Sequence, residues 1–270
     1  MTRAIAPPKS ATVADAGRDR QFAQTLARGL ELLSCFTPRD NQLANRDFVH
    51  RTGLDKATVS RLTHTLLQLG YLRHDRTQGK YRLGAAVLAL GYPLLASMTL
   101  RQIVRPWIKE LADEMHCMVG IAIRDRTNMV YMETFRSKKD DAPLIDIGAS
   151  FPIMATASGR AWLARSAPAE RDKVLNQIRV REPRHHAQHI AAVRQGLREF
   201  SQHGFTSGPG LVQSDRLAVA VPMAAPVNGE IVVFACAMPL RGRSPSLLQE
   251  RAGARLITLV RSVEIAMGQA

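Results

Sequence analysis

Ser60, Arg61 and His64 lie turned away from an apolar stripe, with Lys56 and Thr58 on its flank. Serine and arginine suit hydrogen bonding to base edges or phosphates, and lysine suits phosphates. The stripe is Val59, Leu62, Leu66 and Leu69, recurring at spacings of three, four and three, which predicts a helix. Asp55 stands where a helix N-cap belongs, and Gly53 supplies a tight turn before it. After Gly70, the runs Tyr71–Arg73 and Lys80–Leu83 alternate as strands do, joined by a turn ending at Gly79. That hairpin carries Arg76, Lys80 and Arg82, cations suited to phosphate contacts. Helix, turn, helix and basic hairpin make a winged DNA-binding domain. The plainer alternative is a three-helix packing unit with a solvated polar face. The cap, the turn, the outer face and the cationic hairpin together favour DNA.

Four other groupings invite catalytic or metal chemistry. Ser158 lies in Ala-Thr-Ala-Ser-Gly, which is not a nucleophile elbow because Thr156 occupies the first glycine position. His116 and Cys117 are sequence neighbours, and neighbours point apart in a helix or a strand. His185, His186 and His189 read as part of a polar linker with no third ligand nearby, so no metal is expected. Gly208-Pro209-Gly210 lacks a lysine or a following helix start and reads as a turn. No cofactor and no enzyme activity are expected. A metabolite-binding or hydrolytic enzyme with an accessory DNA-binding domain stays open as the competing reading, as does an architectural DNA-bending protein.

The elements that position these residues fit in 270 residues, room for two domains of ordinary size. The formal net charge is +14, and residues 1–100 carry 14 basic against 7 acidic side chains, the denser share. That balance suits a phosphate partner. Cys35, Cys117 and Cys236 are far apart and odd in number, so they read as core residues in a reducing cytosol. Residues 1–21 read as a disordered arm with no signal peptide.

Helices are expected over Gln24–Phe36, with Leu26, Leu30 and Leu33 as its stripe, and over a short segment capped by Asn45. The winged domain thus spans 22–84. The uncharged run 83–100 is just long enough for a membrane span, but Gly84, Gly91 and Pro93 interrupt it. It is read instead as a linker and dimerisation helix over 85–100, kinked or broken near Gly91-Tyr92. From 101 to 270 helices alternate with strands: a helix ending near His116, a hairpin over 118–135, and a strand over Leu144–Ile147. Helices follow from Thr156, Ala169 and Ile190, then a hairpin turning at Val227-Asn228-Gly229, and a closing helix from Ser246. The whole is α+β.

With these pieces in place, the chain resembles the IclR family of bacterial transcriptional regulators over roughly residues 22–268. The resemblance rests on 53–84, on IGASFPIMATASGRAWLA at 147–164, and on GFTSG with the paired strands after it. It implies a cytoplasmic dimer or tetramer on double-stranded DNA at a pseudo-palindromic operator, with a GAF-like C-terminal α/β domain holding a small metabolite. Its pocket residues fall on Met154, Ala155, Thr156, Ala157 and Ser158, facing Ala218, Ala220 and Ala235, with Met132 and Met223 as further fillers. Where the family carries an acidic cluster, this chain has Gly208-Pro209-Gly210-Leu211, and Ala218 replaces a Cys or Ser. The expected effector is therefore a compact, partly apolar organic acid, aromatic or aliphatic with the aromatic form favoured, its carboxylate on the Thr156–Ser158 amides. A packed core without ligand is the alternative.

Overall fold

The computed structural model describes residues 21–141, 145–211, 213 and 215–269, so residues 1–20 of the arm expected at 1–21 lie outside it. The chain forms two compact units, one running to Ser97 and one starting at Met98. In the first, α1 (Gln24–Leu33), α2 (Asn45–Thr52) and α3 (Lys56–Gln68) precede the hairpin β1 (Leu72–Asp75) and β2 (Lys80–Leu83), then α4 (Ala85–Ser97). Phe48 fills the centre, fully buried among Leu32, Val59, Leu66 and Leu72, and burying a ring of that size contributes about 1.5–3 kcal/mol. Leu43 joins the hairpin as a third rung, bonding Tyr81 in both directions at 2.7 and 3.0 Å.

Several expectations change here. Helix α1 stops at Leu33, three residues early, and Leu26 and Leu30 face solvent while Leu32 is buried. Asn45 is the first helical residue of α2; Ala44 is the cap position, and its N–H donates to the Asp47 carboxylate at 2.8 Å. Leu69 falls at the C-cap of α3, beyond the buried stripe, and is exposed. Pro93 does not break α4, which runs unbroken to Ser97 with the interruption at Met98. Gly84 closes the hairpin against its start: its N–H donates to Tyr71 O at 2.8 Å, and a Cβ there would lie 2.0 Å from Gly70 O.

The second unit holds α5 (Thr99–Met115), β3 (Met118–Asp125), β4 (Asn128–Arg136), β5 (Ser150–Pro152), α6 (Ala157–Arg165), α7 (Pro168–Arg181), α8 (Pro183–His203), β6 (Thr206–Pro209), β7 (Arg216–Pro222), β8 (Val233–Pro239) and α9 (Pro245–Ala266). The strands form one antiparallel sheet in the order β5-β4-β3-β8-β7-β6. The rung Val119–Cys236–Val219 belongs to a core shared with α5 and α9. The neighbouring rungs Met118–Ala237–Ala218 and Gly120–Ala235–Ala220 belong to the opposite face, which packs on α6, α7 and α8. Alternation along each strand separates the two cores.

The strand expected at 144–147 is absent from 145–147, where the chain turns, and the edge strand is β5 instead; Leu144 lies outside the described residues. Thr206–Pro209 is a strand, not the start of a turn, because an edge position tolerates glycine and proline. The three histidines stand on α8, not in a linker, since Pro183 opens that helix at its first turn. The Asn228-Gly229 turn is as expected, both residues at positive φ between the paired Val227 and Glu230. No single helix among the described residues is long and apolar enough to cross a membrane.

Candidate functional site

Two sites emerge, one in each unit. In the first, Gly53 takes a left-handed conformation (φ 71°) that ends α2 and turns the chain into α3. Asp55 caps α3, its carboxylate accepting the Thr58 N–H at 2.8 Å. Hydrogen bonds from Thr58, backbone first and hydroxyl second, hold the Asp55 carboxyl below its usual value. With Val59, Leu62 and Leu66 buried beneath, Lys56, Ser60, Arg61 and His64 project outward and are exposed, while Thr58 is half-buried beside its cap.

The wing turn is held by Asp75, whose Oδ1 accepts from the Thr77 N–H (2.9 Å) and hydroxyl (2.5 Å). These bonds, the hydroxyl's foremost, keep its carboxyl below the usual range. Arg76 and Arg82 are exposed and Lys80 half-buried. The register adds a residue that sequence reasoning passed over: Arg73 lies directly across from Arg82.

In the second unit a cavity of ≈ 60 Å³ lies between the start of α6 and the alanine-lined sheet face. Thr156 caps α6, accepting the Gly159 N–H at 2.9 Å, and the Ser158 hydroxyl donates to Thr156 Oγ1 at 3.2 Å. Thr156, Ala157, Ser158, Ala218 and Ala235 all line the cavity as expected. Met154, Ala155 and Ala220 do not. The turn before α6 folds back on Pro152, Ala155 N–H to Pro152 O at 3.2 Å, and fully buries Met154. Ala220 is sealed off where the hydroxyl of Thr206, its partner on β6, donates to Ala157 O at 2.7 Å. Met132 and Met223 belong to the core on the other face of the sheet.

The cavity also takes residues with no sequence signal. Tyr131 and Phe151 line it edge to face, ring centroids 5.8 Å apart. Burial raises the Tyr131 phenol, and a bond with Ser158 opposes that. Arg216 lines the opposite wall, its Nη1 and Nη2 on the two oxygens of Asp140 at 2.8 and 2.6 Å. Cys236 is on the lining too, but burial pushes its thiol up to about 12, which removes the thiolate a nucleophile needs. Among the described residues, no three His, Cys, Asp or Glu side chains gather to hold a metal.

A model of the IclR helix-turn-helix domain matches residues 25–76, and one of the bacterial transcriptional regulator IclR C-terminal domain matches 93–261. The chain belongs to the IclR family. The HTH-type transcriptional regulator TsaQ1/TsaQ2 of Comamonas testosteroni is 32% identical over 248 residues, covering 91% of this chain and 89% of that protein. An IclR family transcriptional regulator from Brucella abortus has a crystal structure with TM-score 0.84 at 38% identity, over 96% of this chain and 99% of that one. An IclR homolog from Microbacterium hydrocarbonoxydans, complexed with 4-hydroxybenzoate, shares the fold at TM-score 0.63 and 22% identity, over 88% and 99% of the two chains. As a member of the IclR family the chain is a transcriptional regulator: its first unit is the DNA-binding domain and its second the α/β effector domain.

Proposed function

We propose that this regulator binds a pseudo-palindromic operator as a dimer or tetramer and responds to a compact, partly apolar organic acid. The observation that carries the DNA half is the exposed row Ser60, Arg61 and His64 standing over a buried stripe on a capped helix. Under this reading those side chains meet base edges in the major groove, with Lys56 and Thr58 nearer the backbone and Arg73, Arg76, Lys80 and Arg82 on phosphates. One winged domain reads few base pairs, so useful affinity needs two on a two-fold site. Helix α4 supplies the means: thirteen residues without a charge, none of them buried. Leu26 and Leu30 on α1 are likewise uncovered.

For the effector half, the cavity offers the apolar surfaces of Tyr131, Phe151, Ala218 and Ala235, with hydroxyls and amides at the start of α6. An aromatic acid fits that division of surfaces, and the Microbacterium homolog holds 4-hydroxybenzoate. At ≈ 60 Å³ the cavity is small, which suits a compact ligand. The role is one of binding. The Ser158 hydroxyl is engaged with Thr156, and no histidine is among the described lining residues.

Footprinting of the flanking DNA gives one discrete, roughly symmetric protected site under this reading. A diffuse footprint overturns the operator half. Thermal-shift titration with small acids on wild type and on Ala218→Leu tests the other half. The acid response disappears in the variant if the cavity is the receptor, and an unchanged response overturns it.

A further inference from the structure

The effector cavity contains one charged side chain among its described lining residues, and its chemistry narrows the ligand further than shape does. Arg216 and Asp140 form a bidentate pair with side chains 5% and 0% exposed. Arg216 Nη2 donates again to Ala237 O at 2.7 Å. Of the five guanidinium N–H groups, three are therefore spent, while Nε–H and the second Nη1–H have no protein acceptor among the described residues. Arg216 lines the cavity and Asp140 does not, so the pair is a fixed dipole with its positive end toward the empty space.

The setting holds that dipole rigidly. Asp140 is pinned in a turn, its N–H on Ser137 O at 3.0 Å and the Ser137 N–H on Cys117 O at 3.1 Å. On the other strand, the Arg216 carbonyl accepts the Gly210 N–H at 2.8 Å, tying the cavity rim to the arginine's own backbone. Taking an ion pair out of water is costly, and apolar residues of similar volume often do as well for stability. A pair kept at the wall of a ligand cavity therefore calls for a ligand. The rival anchor, the start of α6, offers fewer free donors: Thr156 already occupies the Gly159 amide, whereas Arg216 keeps two N–H groups without a protein acceptor among the described residues.

We propose that Arg216, clamped by Asp140, reads the negative charge of the effector, and that the effector is a monocarboxylate. A second carboxylate would lie against Tyr131, Phe151 and the alanine face with no cation to meet it. This rests on the effector reading above and goes beyond it in naming the anchor and the charge.

The test uses the full chain with benzoate and butyrate, their amides benzamide and butyramide, and the diacids phthalate and succinate. Wild type prefers each monoacid over its amide by about tenfold or more, as a charge-assisted bond provides, and gains nothing from the diacids. The double variant Arg216→Met with Asp140→Leu replaces the pair by apolar volume and brings the acid-to-amide ratio to about one. Arg216→Lys, which keeps the charge and loses the fork, retains a reduced preference and covers the case in which the double variant does not fold. If the double variant, or Arg216→Lys compared with Arg216→Met, keeps the full preference, the charge is read elsewhere and the proposal falls. The cavity reading still stands in that case, provided Ala218→Leu abolishes the response. If Ala218→Leu leaves the response intact, or no acid stabilises wild type, both fall. Tighter binding of a diacid overturns the monocarboxylate assignment.

Discussion

Arg73 and Arg82 face each other as direct partners across the β1–β2 hairpin, two exposed guanidinium side chains on one face of a four-residue ladder. Like charges placed opposite in a ladder repel, by a few tenths to about 1 kcal/mol. Phosphate relieves that repulsion. Arg73→Ala is therefore expected to leave the fold as stable or slightly more so while weakening binding to every DNA sequence alike. The slope of log affinity against log salt should fall by roughly one. Anisotropy titrations at several salt concentrations, paired with a thermal melt, check both signs at once.

Arg61 should behave differently, because it stands on the outer face of α3 and not on the wing. Arg61→Ala is expected to cost about 1–3 kcal/mol at the operator and much less on random DNA. An unchanged ratio of operator to random binding would show that Arg61 does not read bases.

The caps of the DNA-binding unit give it an acid limb. Asp55 and Asp75 both have carboxyls held below the usual carboxylate range by hydrogen bonds within the fold, Thr58's and Thr77's foremost. A lowered folded pKa means that their contribution is complete above the unfolded value and fades as pH falls through the folded one. At neutral pH it is fully present. Acid titration of Asp55→Asn followed by helical signal should show a shallower loss than wild type below about pH 4. Equal acid limbs would mean that the cap contributes nothing through its charge.

Leu88, Leu90, Tyr92 and Leu94 on α4 are 74, 63, 67 and 58% exposed, apolar side chains that a partner copy would cover under the proposed reading. Leu90→Glu with Leu94→Glu should yield monomers that bind operator poorly. Val87 and Leu95, half-buried, are expected to contribute less. Sedimentation showing an intact dimer in the double variant would place the contact elsewhere.

The DNA-binding unit was legible because its signals are local. Asp55, Gly53 and the spacing of Val59, Leu62 and Leu66 act within the single stretch 53–66, and each appears where the spacing puts it. Where that reading overran, as at Leu69 and at Leu26 and Leu30, an apolar stripe announced a need for cover without saying what supplies it. The cavity was legible only at its helix cap, Thr156–Ser158, and at Ala218 and Ala235, whose alternation is likewise local. Arg216 and Asp140 are 76 positions apart, and nothing near either residue marks the pair. Tyr131 and Phe151 come together only through strand register, and β6 hid behind a Gly-Pro that reads as a turn.

Gly84 has a consequence for how this protein can diverge. Its amide meets Tyr71 O and its bare α-carbon abuts Gly70 O, so at this point the wing's root is fastened by main chain, beside the buried Leu72. Side chains at the tip can then be exchanged without loosening the mount, and phosphate contacts can be rewritten one substitution at a time. The same economy sets a hard limit: any side chain at position 84 would collide with main-chain atoms that cannot turn aside. Tolerance to mutation along this hairpin should rise from root to tip, with its minimum at a residue that has no side chain to offer.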